Sequence, residues 1–192
     1  MDTAFVNRLE KQISASDIVM SVLEIPLEAA GQAMRLGKKH GVRTILNPAP
    51  AQKLPDEILQ NVDYLTPNET ELRILMGLRS DDPTPTEELA RSFKSSWEGY
   101  LIVTLGEQGA LICDGPHIHH IPPVVIDVVD TTGAGDAFNA GLAVAMAEGM
   151  ILPEAVKFAN CAGALTCTKL GVSPAMPYRL STDSLYKLSY PN

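Results

Sequence analysis

The string Asp130-Thr131-Thr132-Gly133-Ala134-Gly135-Asp136 combines two glycines, the start of a helix and a carboxylate. Glycine lets a backbone come close to a ligand, and the unpaired N–H groups of a first helical turn attract an anion. A carboxylate beside such a turn suits phosphoryl transfer from a nucleotide to a hydroxyl. Residues 124–129 before it read as strand-like, and a small-residue helix follows from about Ala137 to Glu148. Two other glycine motifs fit less well. A Walker loop ends in Gly-Lys-Ser/Thr, whereas Asp136 and Ala137 follow Gly135. A dinucleotide fingerprint needs glycine or alanine where Phe138 stands, and it sits early in its fold. A plain strand-to-helix turn with an acidic first-turn residue would account for an isolated Gly-Ala-Gly-Asp.

Flanking elements must hold this motif. Residues 17–23, 42–46, 63–66 and 100–105 read as strands, and helical periodicity spans 27–40, 68–76 and 86–97. Residues 109–113 and 117–121 read as a hairpin around Asp114-Gly115, and two helices near 134–148 and 153–168 follow. The alternation predicts an α/β layered fold with a largely parallel sheet. The polar loop 80–85 is a poor domain boundary, so 1–192 is taken as one domain.

Composition narrows the partners. The chain is 45% hydrophobic and 20% charged, as in globular soluble proteins, and its formal net charge is −8. That charge argues against nucleic acid and anionic membranes as general partners. It does not exclude ATP, because helix termini and glycine loops bind phosphate locally. No apolar run approaches membrane-spanning length, and Met1 opens a polar amphipathic stretch rather than a signal peptide. Cys113, Cys161 and Cys167 are an odd number without zinc spacing, which predicts buried thiols in a reduced, cytoplasmic setting. His117 and His119 alternate away from His120 on a strand, a pattern of a surface hairpin rather than a metal site.

The longer string, which continues Asp136-Ala137-Phe138-Asn139-Ala140-Gly141, closely resembles the C-terminal signature of the ribokinase (PfkB-type) family of sugar and nucleoside kinases. The resemblance implies a three-layer α/β/α fold and ATP-dependent phosphorylation of a sugar. Asp136 would be the general base, with Gly133, Ala134 and Gly135 shaping an anion hole whose N–H groups come from Ala134, Gly135 and Asp136.

Other strings carry the same resemblance. In Thr66-Pro67-Asn68-Glu69-Thr70-Glu71, the pattern places a helix cap at Thr66, Pro67 at the first position and Glu69 in a capping box. Asn68 and Glu71 then match the family's Asn-x-x-Glu element, which implies Mg2+ and phosphate placement. Thr104, Gly106 and Gly109 match nucleotide-lining positions, and so does Asn160, at or beyond the edge of its helix's apolar stripe. Glu24 resembles the glutamate that hydrogen-bonds the sugar; a surface loop glutamate is the equal alternative. Asn47-Pro48-Ala49-Pro50-Ala51 resembles the family's strand exit at the ligand edge of the sheet. Asp130, Thr132, Thr166, Lys169, Gly171 and Ala175 match a monovalent-cation site, implying K+; Ala175 offers only its backbone there.

Among the family's substrates these strings favour D-ribose over fructose, adenosine or fructose phosphate. The resemblance covers nearly all of this chain but only about the C-terminal two-thirds of a usual member. The family's first strands, β lid and glycine-rich sugar-binding residues are not found before Asp17. The expectation is therefore an N-terminally truncated domain that self-associates as a homo-oligomer, with little activity on its own. A non-catalytic nucleotide-binding or assembly module is the rival from another class, and a nicotinamide-dependent dehydrogenase a weaker one.

Overall fold

Strands form here where aliphatic and β-branched residues run together, and helices where apolar positions recur every three to four residues. The computed structural model, described over residues 1–191, has strands β1 (Ile18–Val22), β2 (Arg43–Asn47), β3 (Tyr64–Leu65), β4 (Tyr100–Thr104), β5 (Ala110–Cys113) and β6 (Ile118–Ile121). Its helices are α1 (Thr3–Arg8), α2 (Glu10–Ser14), α3 (Leu27–Lys39), α4 (Asp56–Leu59), α5 (Glu69–Leu75), α6 (Thr86–Lys94), α7 (Ala134–Ala147), α8 (Leu152–Thr166) and α9 (Arg179–Ser189). The strands form one mixed, mostly parallel sheet in the order β1-β2-β3-β4-β5-β6. Val22 lies opposite Asn47, Leu46 opposite Leu65, and Leu65 opposite Leu101, all in parallel register. The α/β architecture expected from the alternation is the one the chain adopts.

The chain divides into two compact units. The first comprises Met1–Thr104 and Leu111–His119. Its central strands bury Ile45, Leu46, Leu65, Leu101, Ile102 and Val103 completely, the continuous apolar pattern of a parallel sheet covered on both faces. Helix α3 seats Ala29, Ala30 and Met34 in the core. It approaches β2 so closely that a Cβ on Gly37 would lie 2.6 Å from Thr44 Cγ2. Helices α1 and α2, which the sequence pattern gave only as an amphipathic stretch, pack Val6 and Ile13 beside Leu36.

The second unit comprises Leu105–Ala110 with the chain from His120 onward. Its core is the pairing of α7 with α8 along small residues. A Cβ on Gly141 would sit 2.9 Å from Ala162 Cβ and 3.2 Å from Ala159 Cα. Helix α9 packs on α8 through Tyr186 against Phe158, with the Arg179 guanidinium over the same Phe158 ring. No helix was expected over 179–189. Its sequence signal is weak because Leu180 and Leu188 point to solvent, each 79% exposed.

The strand expected over 124–129 does not form. Valine-rich sequence makes a strand only with a partner strand beside it. Here the Val129 and Asp130 N–H groups instead donate to the Cys167 carbonyl, at 2.8 and 3.2 Å, and Val125 is 93% exposed.

Gly→Ala in an open helix ordinarily stabilises by roughly 0.5–1 kcal/mol. At Gly141 the contact with the Ala159 backbone reverses the sign. Gly141→Ala is expected to lower stability by about 1–3 kcal/mol. Urea unfolding monitors this, and a raised midpoint would show that α7 and α8 can separate without loss.

Candidate active site

Parallel strands present their C-terminal ends at one edge, where open α/β sheets bind ligands. In the first unit that edge carries Glu24 beyond β1, the Asn47-Pro48-Ala49-Pro50 exit of β2, Thr66 and Asn68 after β3, and Thr104 at the end of β4. Side-chain and backbone bonds tie these exits together. The Leu23 N–H donates to the Ala49 carbonyl at 2.9 Å, joining the ends of β1 and β2. Asn47, 8% exposed, donates from Nδ2 to the Thr66 carbonyl at 2.7 Å, joining β2 to β3. Asn68 forms a parallel bridge with Thr104, whose N–H donates to the Pro67 carbonyl at 3.0 Å. Glu24 is exposed at this edge.

The cap of α5 differs from the sequence expectation. Asn68, not Thr66, is the cap: its Oδ1 accepts from the Glu71 N–H and Glu71 Oε2 accepts from the Asn68 N–H, both at 2.8 Å. Thr66 cannot serve, because sheet pairing continues through it. It is buried, and its N–H donates to the Leu46 carbonyl at 3.0 Å. Glu69 instead accepts the Thr86 hydroxyl at 2.5 Å. Burial pushes the Glu71 carboxyl up, partly offset by the Asn68 N–H. Only one Glu71 oxygen belongs to the box, so Oε1 is left as the kind of single carboxylate ligand that suits a hydrated Mg2+.

In the second unit, Gly133 opens α7 with φ +80°, and a Cβ there would meet Val172 Cγ1 at 2.9 Å. Glycine is therefore required twice over, for conformation and for space. A Cβ on Gly135 would have nothing within 4 Å. Asp136 is exposed in the first turn of α7. One expected donor is redirected: the Ala134 N–H closes the turn onto the Thr131 carbonyl at 3.2 Å. Of the three N–H groups expected to form an anion hole, that of Ala134 is therefore engaged by a carbonyl. Two contacts steady this helix start. Asn139 Nδ2 donates to the Gly135 carbonyl at 2.9 Å, and Gly163 of α8 lets the Ala134 carbonyl approach to 3.2 Å of where its Cβ would be.

Asp130 joins the loop before α7 to the loop after α8. Its Oδ1 accepts from the Thr132 N–H at 2.9 Å and the Thr132 hydroxyl at 2.7 Å, and its Oδ2 accepts from the Gly171 N–H at 3.0 Å. These bonds hold its carboxyl below the usual range. Thr166, the last residue of α8, and Ala175, on the loop that follows, are buried, and Lys169 is exposed. Of the residues expected at a cation site, Asp130, Thr132 and Gly171 thus lie on two loops joined by hydrogen bonds. Both Asp130 oxygens carry hydrogen bonds.

Gly106 and Gly109 bracket a single 3₁₀ turn, with φ of +57° and +90°. A Cβ on Gly109 would lie 2.2 Å from the Ile121 carbonyl oxygen. His120 meets the Gln108 carbonyl at 2.8 Å, whereas His117 and His119 lie side by side on the hairpin. Asn160, expected at or outside the edge of the apolar stripe, is 9% exposed. Its Nδ2 donates to the Pro122 carbonyl at 3.2 Å and to the Tyr190 hydroxyl at 3.4 Å. No local pattern flags Tyr190 or Pro122, because their contact spans 68 positions of sequence. The three cysteines are buried and free, and burial pushes the Cys161 thiol up to about 12.

The profile of the pfkB family carbohydrate kinase matches residues 8–179. The chain belongs to this family. It is 37% identical over 177 residues to the ribokinase of Haemophilus influenzae, covering 92% of this chain and 58% of that one. To the ribokinase of Bacillus subtilis it is 39% identical over 180 residues, covering 94% and 58%. The structure of Arabidopsis thaliana ribokinase complexed with ribose and ATP superposes with a TM-score of 0.86 at 33% identity, covering 94% of this chain and 59% of that one. The chain therefore spans well under two-thirds of the length of these relatives.

The Asp130 bonds give a pH signature. A carboxyl whose folded pKa is depressed contributes stability above its unfolded pKa, about 4, and loses it as pH falls through the lower folded value. Asp130→Ala is expected to lower the melting temperature near neutral pH and to speed amide exchange at Thr132 and Gly171. The gap from the unsubstituted chain should close as pH drops below about 4. A gap that persists in acid would mean that packing, not the charge, holds the loops.

Proposed function

We propose that this chain provides the catalytic machinery of an ATP-dependent sugar kinase, with D-ribose, converted to D-ribose 5-phosphate, as the favoured substrate. The observation that carries the proposal is Asp136 exposed in the first turn of α7, beside the open Gly135 and the left-handed Gly133. Family membership supports the reaction class. Ribose is supported by the relatives named ribokinases, by the ribose and ATP in the Arabidopsis complex, and by Glu24 with the Asn47–Pro50 and Thr66–Glu71 strings. Because the family match runs across both units, they are taken as one kinase domain.

In this mechanism Asp136 accepts the proton of the sugar hydroxyl as that oxygen attacks the γ-phosphorus. The bond from phosphorus to the bridging oxygen breaks, and ADP leaves. The N–H groups of Gly135 and Asp136 stabilise the charge that develops on the transferring group. Thr104, Gly106, Gly109 and Asn160 seat the nucleotide, and Glu24 accepts hydrogen bonds from sugar hydroxyls. Asn68 and Glu71 would hold Mg2+, which when bound neutralises phosphate charge. Asp130, Thr132, Thr166, Lys169, Gly171 and Ala175 would surround K+, fixing the turn before α7.

The setting proposed is the cytoplasm; no described helix is long and apolar enough to cross a membrane. Self-association is proposed from β1, a strand at one edge of the sheet, in which Met20 is 42% exposed.

Ribose-dependent ADP release by the purified chain tests the activity. Asp136→Asn keeps the shape but cannot take the proton, so turnover should fall about 10²–10⁴-fold while ATP binding persists. Unchanged turnover in Asp136→Asn would remove it from the base role. Replacing potassium by a bulky organic cation, with ATP and magnesium constant, should lower the rate. Equal rates would remove the cation from the mechanism. ATP binding with no ribose-dependent turnover by the unsubstituted chain would favour the nucleotide-binding module instead.

A further inference from the structure

Asn160 is buried in α8 with both amide hydrogens engaged, one on the Pro122 carbonyl and one on the Tyr190 hydroxyl. Tyr190 in turn donates its own proton to the same Pro122 carbonyl, at 2.6 Å. The carbonyl has two lone pairs and receives two donors. An amide side chain can turn over and exchange its oxygen with its nitrogen. Here it cannot do so freely, because Oδ1 placed against the Pro122 oxygen would set two acceptors face to face. The arrangement leaves Oδ1 as the atom that Asn160 can offer a ligand.

Tyr190 is itself firmly placed. It caps α9 by donating its N–H to the Tyr186 carbonyl at 3.0 Å. Its ring lies under the Lys157 ammonium, 5.6 Å from the ring centre, and beside the Tyr186 ring at 6.0 Å. Lys157 is held by Glu154 at 2.8 Å. Burial pushes the Tyr190 phenol up, which keeps it a proton donor at neutral pH. The neighbouring Ile121–Pro123 backbone is the one that Gly109 can approach only because it lacks a Cβ.

We propose that Tyr190 is a positioning residue for nucleotide selection: with the Pro122 carbonyl it locks the Asn160 amide so that its oxygen, an acceptor, faces the purine. An acceptor matches the exocyclic amino group of adenine and opposes the carbonyl oxygen that guanine carries at the same place. The inference rests on the nucleotide assignment of Asn160 in the proposed function. It adds a source of adenine-over-guanine preference in a residue of α9's C-terminal cap that touches no substrate.

Calorimetric binding of ATP and of GTP to the full chain, without sugar, tests it. The unsubstituted chain should bind ATP more tightly. Tyr190→Phe keeps the ring and its packing but removes the hydroxyl. It should weaken ATP about tenfold and leave GTP within about twofold, the effect of freeing one buried amide. In an Asn160→Ala background, Tyr190→Phe should change neither affinity, because it acts through the amide. A purely structural role for Tyr190 predicts equal weakening of both nucleotides and a lower melting temperature. That result, or an unchanged ATP-to-GTP ratio in Tyr190→Phe, overturns the inference. If the unsubstituted chain binds neither nucleotide, the nucleotide assignment itself falls, and this inference falls with it.

Discussion

The carboxylate of Asp130 accepts two hydrogen bonds from Thr132 and one from the Gly171 N–H. Those bonds bind the segment entering α7 to the segment leaving α8, and the Cys167 carbonyl adds two more from Val129 and Asp130. The consequences run forward along the chain. With residues 130–132 fixed, the chain must turn sharply to enter α7. Gly133 makes that turn in a left-handed conformation that a side chain would block against Val172. Only then do Gly135 and Asp136 fall in the first turn, where N–H groups lack carbonyl partners. An exposed aspartate on an arbitrary helix would have no such neighbours. The chemistry proposed for Asp136 thus depends on a carboxylate six positions earlier that does none of it.

The strand exits of the first unit are positioned by backbone rather than by charge. Parallel pairing from β1 to β4 sends every strand exit to the same edge, so Glu24, Asn47, Asn68 and Thr104 lie along it. The capping box of α5 shows how local stability and candidate function coincide there. Asn68 and Glu71 satisfy each other's N–H groups, yet Glu71 commits a single oxygen. A residue pair that starts a helix is also rigid, and rigidity is what a metal or phosphate contact needs.

Much of this was legible in the sequence. Alternating apolar runs gave the parallel sheet, and the Gly-Ala-Gly-Asp string located the helix start, because both signals are local. The failures share a cause. Thr66 has the composition of a cap, but tertiary pairing claims its N–H for Leu46. Residues 124–129 have strand composition but no strand partner. The outward leucines of α9 hide its helical pattern, and Asn160 is buried by a tyrosine thirty positions away. Each error concerns where a backbone or side-chain group finds its partner across the fold, which composition and spacing do not encode.

Among the described residues, three buried asparagines share one arrangement. Asn47 donates to Thr66, Asn139 to Gly135 and Asn160 to Pro122, each from Nδ2 to a backbone carbonyl. Those carbonyls lie where regular structure begins or stops: after β3, in the first turn of α7, and just past β6. The Thr66 and Pro122 carbonyls lie beyond their strands and lose regular partners, and leaving such groups unpaired while buried would cost about 1–3 kcal/mol each; the Gly135 carbonyl, in a first helical turn, keeps its intrahelical partner and takes the Asn139 amide as a second donor. A hydroxyl would reach less far and brings one donor; a lysine would bring a charge that burial penalises. The neutral two-proton amide suits these places. Open α/β sheets bind ligands at their strand ends, so a group that repairs such an end can also border a site. That is why asparagine, a poor residue for helix interiors and strands, recurs inside this one.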